Sequence, residues 1–389
     1  MCPSFMATRE EMHSTRGRAH LLFEMIEGNP MTGGWRSPAV KEALDLCLAC
    51  KGCKGECPVN VDMATYKAEF MAHYYRRRLR PMTAHSMGRI NTWARMASWF
   101  PAVANFATHG PAVGGLAKWI AGVAAERTMP TFADETFRHW FERSDRSNQK
   151  GRPVLLWPDT FNNYFRPEVA KAAASVLRDA GFRVVIPRRV LCCGRPLYDF
   201  GLLRTARRYL DRIMRDLAPH LRDGTPIVVL EPSCLSVFRE EARSFFPDDR
   251  DVFRLSRQSM TLGDFLTNHA PDYQPPKLSG RAAIVQPHCH HRSVLGFETD
   301  KSLLERTELE LDVQNAGCCG MAGAFGFERR HYEVSMRIGE RALLPAIRGA
   351  HSDCLVIADG FSCTEQIAQA TGRRPLHMAQ VLERQPSQS

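Results

Sequence analysis

The sequence predicts a multidomain α plus α/β chain. Helices come first, and two copies of a strand-and-helix unit with parallel sheets follow. Three observations predict this. Residues 1–75 carry apolar residues at helical spacing and almost no strand signal. Residues 76–150 are helical again, with an apolar middle. From residue 151 onward one order of strands, helices and cysteines occurs twice, over 151–275 and 276–389.

In the first part, Leu21, Leu22, Met25 and Ile26 recur at helical spacing. Ser37-Pro38 reads as an N-cap followed by proline at the first helical position, and this helix delivers Cys47. A further helix begins near Asp62 and runs to the arginines at 76–80. Between these helices lies Cys47-Leu-Ala-Cys50-Lys-Gly-Cys53-Lys-Gly-Glu-Cys57-Pro58, a C-x2-C-x2-C-x3-C-P run. That is the ferredoxin ligand run for a 4Fe–4S cluster, whose fourth cysteine serves the other cluster in two-cluster proteins. Three thiolates two residues apart on one tight loop reach three irons. Zinc fits less well, because zinc sites usually use two separated C-x2-C pairs. Residues 1–75 are therefore expected to be a helical 4Fe–4S ferredoxin domain.

The chain opens Met1-Cys2-Pro3, and a Cys-Pro pair is how such a run ends. Cys2, Cys47, Cys50 and Cys53 are thus expected to hold one 4Fe–4S cluster. Cys57 then belongs to a second cluster completed elsewhere. On that reading residues 1–75 are N-terminally incomplete, or Cys57 pairs with a partner chain.

The 389 residues are 44% hydrophobic and 24% charged, which is globular and gives room for two or three domains. Thirteen cysteines without a visible signal peptide point to metal binding in a reducing, cytoplasmic setting rather than to disulfides. The net charge of +10 is mostly arginine spread along the chain, with no nucleic-acid motif beside it. A solvated helix face accounts for Arg76, Arg77, Arg78 and Arg80, and contact with anionic headgroups is the next reading.

No Asp, Glu, Lys or Arg lies between Arg95 and Lys118. The stretch is long enough to cross a bilayer, but Pro101, Gly110, Pro111, Gly114 and Gly115 interrupt it. Two short apolar helices, with Trp99 and Trp119 near their ends, fit better. They either pack on the rest of the chain, or dock on a partner subunit or in the membrane interface, peripheral to the inner membrane. Arg143 to Arg152 reads as a linker.

The first copy opens with a strand at Val154–Trp157, then a helix near Pro167–Ala180 and a strand at Arg183–Ile186. Cys192-Cys193-Gly194, a long helix, a strand at Ile227–Leu230 and Pro232-Ser233-Cys234 follow. The second copy has a strand at Ala283–Gln286, a helix near Lys301–Glu308 and Leu311-Asp312-Val313. Cys318-Cys319-Gly320, a long helix, a strand at Leu355–Ala358 and Phe361-Ser362-Cys363 follow. Cys234 follows Cys193 by 41 residues, and Cys363 follows Cys319 by 44. In parallel α/β units ligands sit at the carboxyl ends of strands, where these cysteines fall. Adjacent thiolates point to different sides of the backbone, and the glycine permits a positive φ. The second copy adds Cys289, within Pro287-His288-Cys289-His290-His291; aligning the prolines puts Thr160 at its first-copy position. The metal ligands expected here are Cys192, Cys193, Cys234, Cys289, Cys318, Cys319 and Cys363. His288, His290 and His291 are either donors, proton relays or ligands, or plain loop residues. Lys51 and Lys54 either raise a cluster's potential or sit on the surface. Cys354 reads as a core thiol.

The paired Cys-Cys-Gly triplets after a ferredoxin run resemble the CCG-domain iron–sulfur proteins. These include the heterodisulfide reductase B and C subunits and the iron–sulfur subunits of glycolate oxidase and anaerobic glycerol-3-phosphate dehydrogenase. Met1-Cys2-Pro3-Ser4-Phe5, His13-Ser14-Thr15-Arg16-Gly17-Arg18 and Asp159-Thr160-Phe161-Asn162-Asn163 look most like the carboxyl-terminal part of FAD-linked oxidases of the D-lactate and D-2-hydroxyglutarate dehydrogenase type. The resemblance implies electron transfer. A flavin oxidises a 2-hydroxy acid, and 4Fe–4S clusters pass electrons to a quinone or other acceptor. No flavin or nicotinamide motif is present, so FAD is expected only on a missing N-terminal part or a partner flavoprotein. The chain departs from the full cysteine set at Asp159-Thr160, Glu231 and Gly360. A noncubane cluster is therefore in doubt, and one cubane shared between the copies is an alternative. A thiol/disulfide reductase subunit and a non-redox metal-binding scaffold are the other functions to weigh.

Overall fold

A computed structural model describes residues 2–28, 33–111, 113–144 and 151–383. Among the described residues seven short strands form two separate sheets, and every pairing between these strands is parallel. The first sheet contains β1 (Pro153–Trp157), β2 (Arg183–Val185), β3 (Ile227–Val229) and β4 (Ser259–Met260), in the order β2-β1-β3-β4. The second contains β5 (Ala282–Val285), β6 (Glu310–Val313) and β7 (Leu355–Ile357), in the order β6-β5-β7. The sequence repeat is thus a repeat of topology. A central strand is flanked by the next strand on one side and the third on the other. Among the described residues edge strand β4 occurs in the first copy alone, and the sequence pattern does not predict it.

Hydrophobic content explains why these segments are strands. Val154, Leu155, Leu156 and Trp157 are all fully buried, as a parallel strand covered on both faces requires. Helix Pro167–Asp179 covers one face through Val169, Ala172, Ala173, Val176 and Leu177. Helix Leu203–Arg222 covers the other through Leu210, Ile213, Met214, Leu217 and Leu221. One core cluster contains Val154 and Val228 together with Ala283, Val285 and Ile357, so the two copies share apolar packing.

The second copy's long helix is in fact two, Tyr332–Gly339 and Leu343–Gly349. Pro345 lies in the first turn of the second one, where its missing N–H has no intrahelical partner to lose.

The N-terminal part is helical as expected. Ser37 accepts from Val40 N–H with Pro38 at the first helical position, and Asp62 caps helix Met63–Tyr74. Met25 is buried, but Ile26, expected on the same face, is exposed. The expected apolar pair is helices Pro101–His109 and Val113–Ala121. Asn105 exchanges two hydrogen bonds with the backbone of Phe132, and His109 Nε2 contacts Met129 O at 2.7 Å. Asn105 and His109 thus bond back to the chain, while Trp99, Phe100, Phe106 and Trp119 stay exposed. Among the described residues no helix is long and apolar enough to cross a membrane. The linker expected at 143–152 lies largely outside the described residues, as does Met1.

Candidate iron–sulfur site

The ferredoxin-type loop is wound tightly. Ala49 and Lys51 both have positive φ, 51° and 58°, uncommon for residues with a Cβ. The bend brings Cys47, Cys50 and Cys53 to one cavity, which Cys2 also lines. Cys2 is held there by Arg18, a buried guanidinium that donates to its sulfur at 3.1 Å and to Ala43 O at 2.7 Å. Burial pushes the Cys2 thiol up, but Arg18 and the Ser4 hydroxyl outweigh it and leave its pKa below the ordinary value. Burial raises Cys53 to about 11 and puts Cys50 well above a free thiol, with Cys289 the next cause for Cys50. Cys57 is not in this cavity; it sits at the end of helix Gly52–Glu56, beside the backbone N–H groups of Val59 and Val61.

Lys51 is not a surface lysine. It is 1% exposed and reaches Glu240 at 2.5 Å, Glu241 at 2.8 Å and Asp62 at 3.3 Å. Lys54 meets Glu240 at 2.5 Å. Glu241 also holds buried Arg195 at 2.6 Å, and Arg195 donates to Ala49 O at 3.0 Å. These partners tie the loop to the helices beyond Cys193 and Cys234. The charge at Lys51 was legible in the sequence, but its burial was not.

In the repeat, each of the seven expected ligand cysteines follows the carboxyl end of a strand. β2 leads to Cys192 and Cys193, β3 to Cys234, β5 to Cys289, β6 to Cys318 and Cys319, and β7 to Cys363. Both triplet glycines have positive φ, 80° at Gly194 and 93° at Gly320. A Cβ on Gly320 would lie 2.2 Å from Ser335 O. The seven thiols fall into two groups. Cys192 contacts Cys193, and Cys193 lies 2.8 Å from Cys234, sulfur to sulfur. Cys289 contacts Cys318, Cys318 contacts Cys319, and Cys319 contacts Cys363. All but Cys289 are buried.

Glu231 joins the copies. Its carboxylate accepts from Ser233 N–H and O–H and from Phe361 N–H at 2.9 Å, so it caps the helix that carries Cys363. Burial raises its pKa. Asp159, also buried, is pushed up to about 6 by burial and then by Glu231. His290 bridges Ala49 O at 2.9 Å and Ser236 Oγ at 3.1 Å, and His291 meets Asp300 at 3.1 Å. These two histidines are therefore engaged in packing contacts. The His288 ring lies near Cys289 and Cys319, and a Cβ on Gly360 would strike it. Cys354 is half-buried against the second sheet's core.

Two cavities link these groups. One, of about 360 Å³, is lined by Cys2, Cys47, Cys50, Cys53, Cys289 and Cys318. The other, of about 160 Å³, is lined by Cys47, Cys289, Cys192, Cys193 and Cys234, with Phe161, Phe165 and Phe361. Among the described residues no three His, Cys, Asp or Glu side chains converge on one single-ion position. Buried soft thiols spread around shared cavities, with cations and backbone N–H groups behind them, fit a multi-iron cluster better than one zinc ion.

Two family models match. Residues 1–62 match a 4Fe-4S dicluster domain, and 159–239 and 286–368 each match the cysteine-rich CCG domain. The chain is a CCG-domain iron–sulfur protein. It is 25% identical over 98% of its length to the D-2-hydroxyglutarate dehydrogenase of Escherichia coli, covering 41% of that protein. It is 26% identical to the C subunit of anaerobic glycerol-3-phosphate dehydrogenase from the same species, over 72% of this chain and 70% of that one. Lactate utilization protein A of Geobacillus thermodenitrificans is 29% identical over 59% of this chain and 98% of its own. The chain thus spans about two-fifths of the D-2-hydroxyglutarate dehydrogenases it matches. The CCG-domain protein carries iron–sulfur clusters of the 4Fe–4S kind.

Proposed function

We propose that this chain is the iron–sulfur electron-transfer portion of a flavin-dependent 2-hydroxy-acid dehydrogenase. It passes electrons from a flavoprotein domain or subunit to a quinone or other acceptor. The observation that carries this reading is the continuity of the thiols. Cys47 and Cys289 line both cavities, so the ferredoxin group, the second-copy group and the first-copy group adjoin one another.

In this reading 1–75 is the ferredoxin domain, 76–150 the connector, and 151–275 and 276–389 the two CCG repeats. Cys2, Cys47, Cys50 and Cys53 hold one 4Fe–4S cluster, and Cys57 serves a second completed elsewhere. Cys192, Cys193, Cys234, Cys289, Cys318, Cys319 and Cys363 are the ligands of the CCG region. The clusters supply one-electron carriage. Arg18, Lys51 and Arg195 hold positive charge beside them, which favours the reduced state.

The exposed apolar side chains of the connector helices dock at the membrane interface. Trp99, Phe100, Phe106 and Trp119 are each exposed by about two-thirds, and no acidic residue interrupts 95–118. A quinone acceptor in the cytoplasmic leaflet of the inner membrane would then lie close to the clusters.

The test uses the chain purified anaerobically with its flavoprotein from the native host. Adding D-2-hydroxyglutarate, D-lactate or glycolate should bleach the visible cluster absorbance, and a short-chain quinone should restore it. A chain that is bleached by no 2-hydroxy acid, and whose reduced form a disulfide substrate reoxidises directly, is a thiol/disulfide reductase instead.

A further inference from the structure

The two copies place the same contacts around different donors. In the second copy Cys289 contacts Cys318, and the line continues through Cys319 to Cys363. In the first copy Thr160 contacts Cys192, and the line continues through Cys193 to Cys234. Thr160 follows β1 as Cys289 follows β5, and both strands are central in their sheets. Thr160 therefore occupies the corner that Cys289 fills. It is 5% exposed, and its hydroxyl donates to Asn91 Oδ1 at 3.2 Å from helix Ile90–Ala97. All thirteen cysteines are in place, and within 159–239 they are Cys192, Cys193 and Cys234 alone.

A cubane needs one outside ligand for each iron. Four thiolates meet that need in the second copy, and three fall short of it in the first. A neutral threonine hydroxyl, already donating to an amide oxygen, is a poor substitute for a soft anionic thiolate. The corner also opens on the cavity lined by Phe161, Phe165, Phe361, Met87 and Ile90, whose further thiols, Cys47 and Cys289, are the ones assigned to the ferredoxin-type and second-copy clusters.

We propose that the two CCG repeats hold separate clusters of unequal ligation. Cys289, Cys318, Cys319 and Cys363 hold a four-thiolate cubane. Cys192, Cys193 and Cys234 hold a three-thiolate cluster whose iron beside Thr160 has no protein thiolate and exchanges with solution. This rests on the iron–sulfur reading above and adds an asymmetry that the shared names of the domains do not contain.

The test is mild oxidation of the anaerobic holoprotein with ferricyanide. One electron passes to ferricyanide, one Fe2+ leaves, and the four sulfides stay with the remaining three irons. A colorimetric chelator counts the released Fe2+, and electron paramagnetic resonance detects the three-iron product. Wild type should release one Fe2+ per chain and show the three-iron signal. Thr160→Cys should abolish both. Cys289→Thr, which copies the first-copy corner into the second, should double both. Wild type releasing no Fe2+, or Thr160→Cys releasing as much as wild type, overturns the proposal. A preparation without iron and sulfide fails at the earlier step, and that overturns the iron–sulfur reading itself.

Discussion

The guanidinium of Arg195 donates to the carbonyl of Ala49 at 3.0 Å, and that joins the first Cys-Cys-Gly triplet to the ferredoxin loop. The same carbonyl meets His290 at 2.9 Å, next to Cys289. One backbone oxygen between Cys47 and Cys50 thus ties three cysteine groups together.

Removing that tie is expected to be costly. Arg195→Leu leaves buried Glu241, and Asp199 beside it, without that partner. Breaking a buried pair by deleting one member costs about 3–5 kcal/mol. Urea denaturation of the anaerobic holoprotein should show a loss of that order, and a loss below about 1 kcal/mol would contradict the role given to Arg195.

Lys51 predicts a redox effect. Its ammonium is buried in the ligand loop and fixed by Asp62, Glu240 and Glu241. Lys51→Met removes that charge and leaves three carboxylates close to the ferredoxin-type cluster. The midpoint potential of that cluster should fall, while the CCG-region signals move less. An unchanged potential in a redox titration would mean that the carboxylates cancel the lysine's field at the cluster.

Asp159 predicts a pH dependence. Its carboxyl is pushed up from 3.8 to about 6, so the folded state prefers the protonated form. The stability this group contributes is fully present below about pH 4, and it is lost as pH rises through about 6. Two units correspond to about 3 kcal/mol. Asp159→Asn keeps an N-cap for helix Thr160–Tyr164 and removes the titration. Its urea midpoint should gain on wild type as pH rises from about 4 to about 7. Parallel profiles for the two proteins would refute the assignment.

The connector helices predict lipid binding. Trp99→Glu together with Phe106→Glu should abolish sedimentation with vesicles of anionic phospholipid and leave the cluster spectrum intact. Both side chains point outward, so the fold should lose little. Equal sedimentation of variant and wild type would direct that face to a protein partner instead.

Much of this was legible beforehand because cysteine spacing and strand order are local. The repeat and its positive-φ glycines follow from the triplets, and the helix starts at Ser37 and Asp62 follow from capping chemistry. What was hidden depends on distant partners. Whether Lys51 lies on the surface or beside a cluster stays open in the sequence until Glu240 and Glu241, nearly two hundred positions away, close over it. The division of seven thiols into two groups needs the relative placement of two sheets, which spacing does not encode. Glu231 looked like a missing cysteine, yet its carboxylate caps the other copy's helix. Strand β4, two residues long, is too short to carry a periodic signal.

The central claim is that these thiols wrap iron and sulfide. Anaerobically purified protein should contain both in near-equal molar amounts, in brown solution, at several irons per chain. Cys50→Ser should remove the ferredoxin-type share and spare the CCG share. A colourless protein that holds zinc and no acid-labile sulfide, even after reconstitution with iron and sulfide, would contradict the account at its root.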